Sequence, residues 1–236
     1  MTTVSKPAHE PRLARVAAMI ADPSRSRMLS VLLSGEFASA GELARAASVS
    51  AATASGHLSK LLDGGLVECE ARGRHRYFRL ASAEVAHALE ALALVAERGE
   101  HDKSWAAPAR QSLRMARCCY GHLAGELGVK LFDQLQACEG LQAGSDGYEL
   151  TATGQAWLSE IGMPTVTPQG RRRFAYACLD WSERRDHLAG QLADEICRHL
   201  IERAWLRRTE GRALALTPTG VQHLLPRLTN RAAGKT

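Results

Sequence analysis

The sequence predicts a mainly α protein with small β-wings, and three observations carry that prediction. Phe, Trp and Tyr make up only 5% of the 236 residues, while Ala and Leu are abundant, a balance that favours helices. Cap residues and glycines punctuate the first hundred residues at helix length. One dense basic segment, Arg72 to Arg79, reads as two short strands around a glycine tip.

Bulk properties narrow the class. At 45% hydrophobic the chain can bury a real core. A formal net charge of +5 is a mild hint of a polyanionic partner. No apolar run reaches the ~20 residues a membrane span needs. The polar start MTTVSKPAHEPR has no apolar signal core, so a cytoplasmic protein is expected. Its six cysteines are then thiols by default, and none forms a CxxC pair.

Residues 1–10 read as a disordered tail. Leu13, Val16, Ala17 and Ile20 fall at helical spacing from Pro11 to Ile20. Asp22-Pro23 starts a second helix, capped by Asp22. It runs to about Leu33, burying Met28, Leu29, Leu32 and Leu33, and Gly35 ends it. Ser39 and Glu42 have capping-box spacing for a third helix, with Leu43, Ala44 and Ala47 inward. Ser48-Val49-Ser50 makes a turn, with Val49 plugging the angle. Ser50 caps a fourth helix, Ala51 to Asp63, burying Ala54, Leu58, Leu61 and Leu62. Gly64-Gly65 ends it with left-handed backbone. Leu66 to Glu70 and Arg76 to Leu80 are the strands, joined by Arg72-Gly73-Arg74-His75.

Helix, turn, helix, basic hairpin is the layout of a winged helix-turn-helix. The words DPSRSRMLSVL, ELARAASVSAATASGHLSKLLDGGLV and RGRHRYFRL resemble the ArsR/SmtB family of bacterial repressors in order and spacing. The resemblance covers roughly the first 100 residues. It implies a symmetric dimer on double-stranded DNA, with the fourth helix in the major groove and two such helices one DNA turn apart. It also implies that the first helix and the helix after the wing form the dimer interface. The latter is Ser82 to about Arg98, with Val85, Leu89, Leu92, Leu94 and Val95 apolar.

On that reading Ser50, Thr53, Ser55, His57 and Lys60 are the DNA-contact candidates of the fourth helix. Ser50 is equally explained as a cap alone, and His57 as a buttress of the turn. Ala51 and Ala52 leave only thymine methyls to touch, so specificity leans on DNA shape. Arg72, Arg74, His75 and Arg76 are the wing candidates for phosphate or minor-groove contact.

The family's metal sites do not carry over. The first reading helix, GELARAASV, has no cysteine. Glu84, His87, Glu97 and His101 do not match the spacing of the dimer-helix site. No resident metal and no cofactor are expected.

From about Ala106 the chain resembles itself. Tyr120-Gly-His122-Leu-Ala-Gly125 recurs as Arg185-Asp-His187-Leu-Ala-Gly190. Tyr148-Glu-Leu-Thr151-Ala-Thr-Gly154 recurs as Ala213-Leu-Ala-Leu216-Thr217-Pro-Thr-Gly220. Two matched words at matched distance argue for duplication. Each copy reads as a helix carrying the HLAG word, a short strand or turn, and a Thr-capped last helix. Thr167-Pro-Gln-Gly170 gives the Thr word a third time, so the copies read as degenerate winged units. They are expected to pack about a pseudo-twofold axis.

Cys118, Cys119, Tyr120 and His122 in one copy, and Cys178, Trp181 and His187 in the other, are the effector candidates. Cys118 and His122 would share a helix face. Three readings stay open for them. They pack the helices; they sense a small molecule or react through a thiol; or they bind a soft metal. Arg171-Arg172-Arg173 reads as a solvated run.

The expected organisation is a tail at 1–10 and a winged-helix DNA-binding and dimerisation domain at 11–100. A mostly helical C-terminal domain follows at 106–228, with repeats at about 114–160 and 174–226, and a tail at 229–236. The expected function is a dimeric repressor released by an effector sensed in the C-terminal half, a small molecule being one candidate. An effector-independent DNA-binding protein is the first alternative. An enzyme pairing Cys118 or Cys119 with His122 or His187 is the second. Against an enzyme, the chain lacks a Gly-rich phosphate loop, a nucleophile elbow and an orienting third residue. No membrane partner is expected.

Overall fold

The computed structural model describes residues 12–73, 75–96, 108–170, 172–209 and 211–229. The expected tails at 1–10 and, beyond Thr229, at 230–236, together with Arg74, Glu97, His101 and Arg171, lie outside them. The chain divides into two compact units at Val85–Ala86.

In the first unit, α1 (Arg12–Ile20) is followed by α2 (Pro23–Leu32). Asp22 caps α2 by accepting from the N–H of Ser24 at 2.9 Å and of Arg25 at 3.0 Å. Next come β1 (Ala38–Ser39), α3 (Ala40–Ala47) and α4 (Ala51–Asp63). The α3 capping box is complete. The Ser39 hydroxyl accepts from the Glu42 N–H, and the Glu42 carboxylate accepts from the Ser39 N–H. Ser48 takes the left-handed conformation, φ 57°, that swings the chain from α3 into α4. Ser50 caps α4 through the Thr53 N–H at 3.1 Å.

Met28, Leu29, Leu32, Leu43, Leu58 and Leu61 form the buried centre. Burying each such side chain is worth about 1.5–3 kcal/mol. Leu62, expected inward, is only half-buried. The wing is β2 (Val67–Arg72) and β3 (His75–Leu80), with Arg72 paired to His75 across a two-residue loop. The sequence reading missed β1, which adds a third strand through Ala38–Phe78 and Ser39–Tyr77 pairing.

Helix α5 (Ala83–Ala96) begins at the end of the first unit and lies mostly in the second. The sequence placed this helix in the DNA-binding domain, with a boundary near residue 100. Its buried Glu90 instead pairs with Arg117 and Arg212 of the second unit.

The second unit is a duplication. After α6 (Pro108–Met115), copy one runs β4 (Arg117–Cys119), β5 (His122–Ala124), α7 (Glu126–Ala137), β6 (Leu141–Gly144), β7 (Gly147–Leu150) and α8 (Ala152–Glu160). Copy two runs β8 (Tyr176–Leu179), β9 (Asp186–Ala189), α9 (Gln191–Glu202), β10 (Leu206–Arg208), β11 (Leu214–Leu216) and α10 (Pro218–His223), with α11 (Leu225–Thr229) after it.

Two expectations are corrected. The HLAG words lie on β5 and β9 rather than on helices, and in each the glycine caps the following helix. Gly125 has φ 81° and Gly190 φ 97°, conformations an L-residue resists. Each copy is hairpin, helix, hairpin, helix, so neither holds a helix-turn-helix and the degenerate-wing reading fails. Thr151 and Thr217 do cap helices, accepting from Gly154 N–H at 3.1 Å and Gly220 N–H at 3.0 Å. Thr167 starts none.

The copies exchange equivalent hydrogen bonds. The Tyr148 N–H donates to the Ala175 carbonyl at 2.7 Å, and the Leu214 N–H donates to the Ala116 carbonyl at 2.9 Å. This reciprocity is the pseudo-twofold relation the repeat predicted. Leu135, Leu158 and Ile161 of copy one share one core with Leu188, Leu192 and Leu200 of copy two.

Candidate functional site

The reading helix offers a small polar face. Ala51, Ala52, Thr53, Ser55, Ser59 and Lys60 are exposed on α4, while Ala54, Leu58 and Leu61 turn inward. Ser50 and Thr53 hydroxyls bond each other at 2.8 Å. His57 points away from this face. Its Nδ1 lies 3.3 Å from Arg25 Nη1 and 3.8 Å from Asp22, and the side chain is 16% exposed. Arg25 is itself fixed by the Met19 and Ala18 carbonyls at 2.6 and 3.0 Å. His57 therefore braces α4 against the start of α2, the buttress reading of this residue.

The wing is less positive than its arginines suggest. Arg72 holds Glu70 through two hydrogen bonds, 2.9 and 3.2 Å, and covers the Phe37 ring at 4.5 Å. Arg79 pairs with Glu68 and reaches the same ring at 4.9 Å. Arg76 contacts the Cys69 sulfur at 3.2 Å instead of an acid. His75 is exposed at the tip, edge-on to Tyr77.

The effector candidates separate into four groups. Cys119 pairs with His122 across β4–β5, and Cys178 with His187 across β8–β9. These four come together, their ligating atoms all within 4.8 Å of one another and all buried. The imidazole centroids are 5.1 Å apart. Cys118, on the other face of β4, meets Cys197 of α9 instead. The hydrogen bond between the two thiols draws Cys118 down to about 7 and pushes Cys197 well up. Trp181 lies under Arg117, 4.7 Å from ring centroid to guanidinium carbon. Tyr120 and Gly121 form the β4–β5 turn, with φ 51° and 108°. The expected helix face joining Cys118 and His122 does not exist, because the two lie on adjacent strands.

Aspartates stand behind both histidines. His187 Nδ1 is 3.2 Å from Asp180 Oδ2, and His122 Nδ1 is 3.6 Å from Asp194 Oδ1. Asp180 also accepts from the Gly125 N–H at 2.7 Å and the Ser182 hydroxyl at 2.8 Å. Burial opposes its charge, but His187 and Arg117 hold it well below the usual carboxylate range. Burial likewise opposes charge on His122, yet Cys119 and Asp194 outweigh it and raise the imidazole to about 10. The hydrogen bond with Cys178, together with burial, pushes Cys119 up to about 12.

A buried ion chain leads away from this cluster. Asp180 pairs with Arg117 at 3.0 Å, Arg117 with Glu90 of α5 at 3.3 Å, and Glu90 with Arg212. Sequence reading missed it. Its signal was Glu90 within the apolar run of α5, a charge that burial demands be paired.

Residues 20–70 match the family model described as a helix-turn-helix domain. The chain is 37% identical over 212 residues to the uncharacterized HTH-type transcriptional regulator YdfF of Bacillus subtilis (strain 168), spanning 89% of this chain and 94% of that one. It is 34% identical over 96 residues to the HTH-type transcriptional regulator Rv0324 of Mycobacterium tuberculosis, covering 41% of this chain and 42% of that one. A solution structure of the homodimeric winged helix-turn-helix domain of Mb0332 from Mycobacterium bovis, a possible ArsR-family regulator, matches at 32% identity. It covers 39% of this chain and 84% of that one, with a TM-score of 0.36. Among the described residues no helix is long and apolar enough to cross a membrane. With a relative matched over almost its whole length, the chain belongs to the HTH-type transcriptional regulators, and its first unit carries the helix-turn-helix followed by a two-stranded wing.

Proposed function

We propose that the protein is a cytoplasmic homodimeric repressor, released from its operator when its C-terminal unit takes up an effector at the Cys119–His122–Cys178–His187 cluster. The observation that carries this reading is the buried chain from His187 through Asp180 and Arg117 to Glu90. Glu90 sits on α5, the helix that directly follows the wing in sequence. A ligand that moves His187 must also move or unbalance this chain, because a buried ion pair tolerates no loss of its partner. The effector then shifts operator affinity only so far as it favours one of two arrangements of α5.

Exposed apolar side chains support the dimer. Leu13 and Val16 on α1 are 76% and 36% exposed, and Leu92 and Val95 on α5 are 48% and 63% exposed. A second copy burying the same stripes in isologous fashion removes that surface from water. On DNA, Thr53 and Ser55 face base edges, Ser50 and Lys60 the phosphates, and Arg76 the backbone beside the wing. Its relatives are named as transcriptional regulators, which supports a non-enzymatic role.

The test is operator binding by fluorescence anisotropy, on a duplex selected from a random pool, with metals, oxidants and metabolite pools added in turn. The wild-type chain is expected to be released by one class. Glu90→Gln is expected to bind the operator as before and to respond weakly. A Glu90→Gln chain that responds normally removes the ion chain from the mechanism.

A further inference from the structure

The two hairpins that begin the copies meet at four side chains, one Cys and one His from each. We propose that Cys119, His122, Cys178 and His187 form a tetrahedral site for one divalent cation of the zinc class, held between the two copies. This rests on the effector reading only for its regulatory consequence; the site stands or falls by itself.

Geometry comes first. Zinc–sulfur bonds of ~2.3 Å and zinc–nitrogen bonds of ~2.0–2.1 Å place tetrahedral ligand atoms roughly 3.3–3.8 Å apart. The four donor atoms here already lie within 4.8 Å of one another, so a contraction of about an ångström closes the shell. Two thiols and two imidazoles are the donor set that selects zinc over hard cations.

Polar bookkeeping points the same way. The Nε2 atoms of His122 and His187 are buried and have no hydrogen-bond partner. Buried polar nitrogens are ordinarily satisfied, and leaving one bare costs on the order of 1–3 kcal/mol. Here two such atoms belong to rings of the same cluster, tilted at 34° to each other. Each ring turns its Nδ1 toward an aspartate, Asp180 at 3.2 Å and Asp194 at 3.6 Å. Neither contact has hydrogen-bond geometry here, His187 Nδ1 and Asp194 Oδ1 being without a hydrogen-bond partner. A carboxylate placed behind each ring is nonetheless the arrangement that, once the bond forms, fixes the tautomer and leaves Nε2 as the ligand.

Charge closes the case. On binding, the two thiol protons and the proton that His122 carries as an imidazolium leave to solvent, and the thiolates cancel the dication. The first shell is then neutral, as burial without water requires. None of the four residues is on α3, and none is on α5. The site is built by the duplication, since each hairpin alone supplies only half of it.

The experiment uses the full chain, purified under reducing conditions. A single zinc per chain is expected by elemental mass spectrometry. Cobalt replacing it should show the sulfur-to-metal charge transfer and intense d–d bands of a tetrahedral thiolate site. Cys119→Ser and Cys178→Ser should each hold at least tenfold less zinc, and Cys69→Ser as much as wild type. Asp194→Asn should bind about 10–100-fold more weakly. Should the serine variants fail to fold, alkylation of the wild-type chain decides the matter. Zinc must then protect Cys119 and Cys178 and leave Cys69 open. A reduced wild-type chain that takes up neither zinc nor cobalt overturns the site, as does full metal content in either serine variant. A metal-free Cys119–Cys178 disulfide in the isolated protein overturns it too. Zinc bound with operator affinity unchanged leaves the site standing and sinks the effector reading instead.

Discussion

Asp180 Oδ2 lies 3.2 Å from His187 Nδ1, and neither side chain is exposed to solvent. The other oxygen of the same carboxylate holds Arg117 at 3.0 Å. One aspartate thus joins the thiol–imidazole cluster to a buried arginine, and through it to Glu90. The C-terminal unit is organised around these polar contacts as much as around its apolar core.

Removing Arg117 tests how much that chain carries. Arg117→Met keeps the volume but strands Glu90 and Asp180 as buried acids beside fewer cations. The expected loss is about 3–5 kcal/mol, read from the urea midpoint of the C-terminal transition. A loss under about 1 kcal/mol would mean that water reaches the pair after all.

The wing arginines should not be equivalent. Arg72 and Arg79 are already held by Glu70 and Glu68, whereas Arg76 meets the Cys69 sulfur and, among the described residues, no carboxylate. Arg76→Ala is expected to lower the slope of log affinity against log salt by about 0.9, one phosphate's worth. Arg79→Ala should change it by less than half as much. Equal slopes for the two variants would show that the glutamates let go on DNA.

The pseudo-twofold relation predicts paired effects at the caps. Thr151 and Thr217 each cap a helix and each donate to a carbonyl of the preceding turn, Glu139 at 2.8 Å and Ala204 at 2.7 Å. Thr151→Ala and Thr217→Ala should each cost about 1 kcal/mol, within the range of 0.5–2. Thermal denaturation that separates the two by more than the width of that range argues against equivalent roles.

The same holds for the glycines one turn further on. A Cβ at Gly154 would overlap the Gly140 carbonyl, and one at Gly220 the Trp205 carbonyl. Both obstacles are backbone and cannot rotate away. Gly154→Ala and Gly220→Ala are each expected to destabilise by about 1–3 kcal/mol in chemical denaturation.

Dimerisation has its own measurement. Leu92→Glu with Val95→Glu places charge on the exposed stripe of α5. The wild-type chain should scatter light as a dimer and the double variant as a monomer, with intact circular dichroism. A wild-type monomer at micromolar concentration rejects the interface.

Much of the first unit was legible residue by residue. Asp22, Ser39 and Ser50 cap the helices they were expected to cap, because a cap is a local hydrogen bond between near neighbours. In the second unit, local reading failed where strand and helix abut. The word HLAG joins a three-residue strand to the glycine that starts the next helix, and periodicity merges the two. The signal that separates them was present. Tyr120-Gly121, between Cys119 and His122, is a two-residue hairpin loop, and both residues have positive φ.

The sequence by itself determined the winged helix, its capping and its basic tip, and it revealed the duplication of the C-terminal half. Those features depend on neighbours along the chain or on repetition. The tertiary structure decided that Cys119 and Cys178 join the two histidines while Cys118 goes to Cys197. It also decided that His57 is a brace, and that Glu90 belongs to a buried ion chain. Each of these depends on which face of a strand or helix meets an element tens of residues away, and chain spacing does not encode that meeting. Cys118 and Cys119 are adjacent in sequence, yet the alternation of a β-strand sends them to opposite sides.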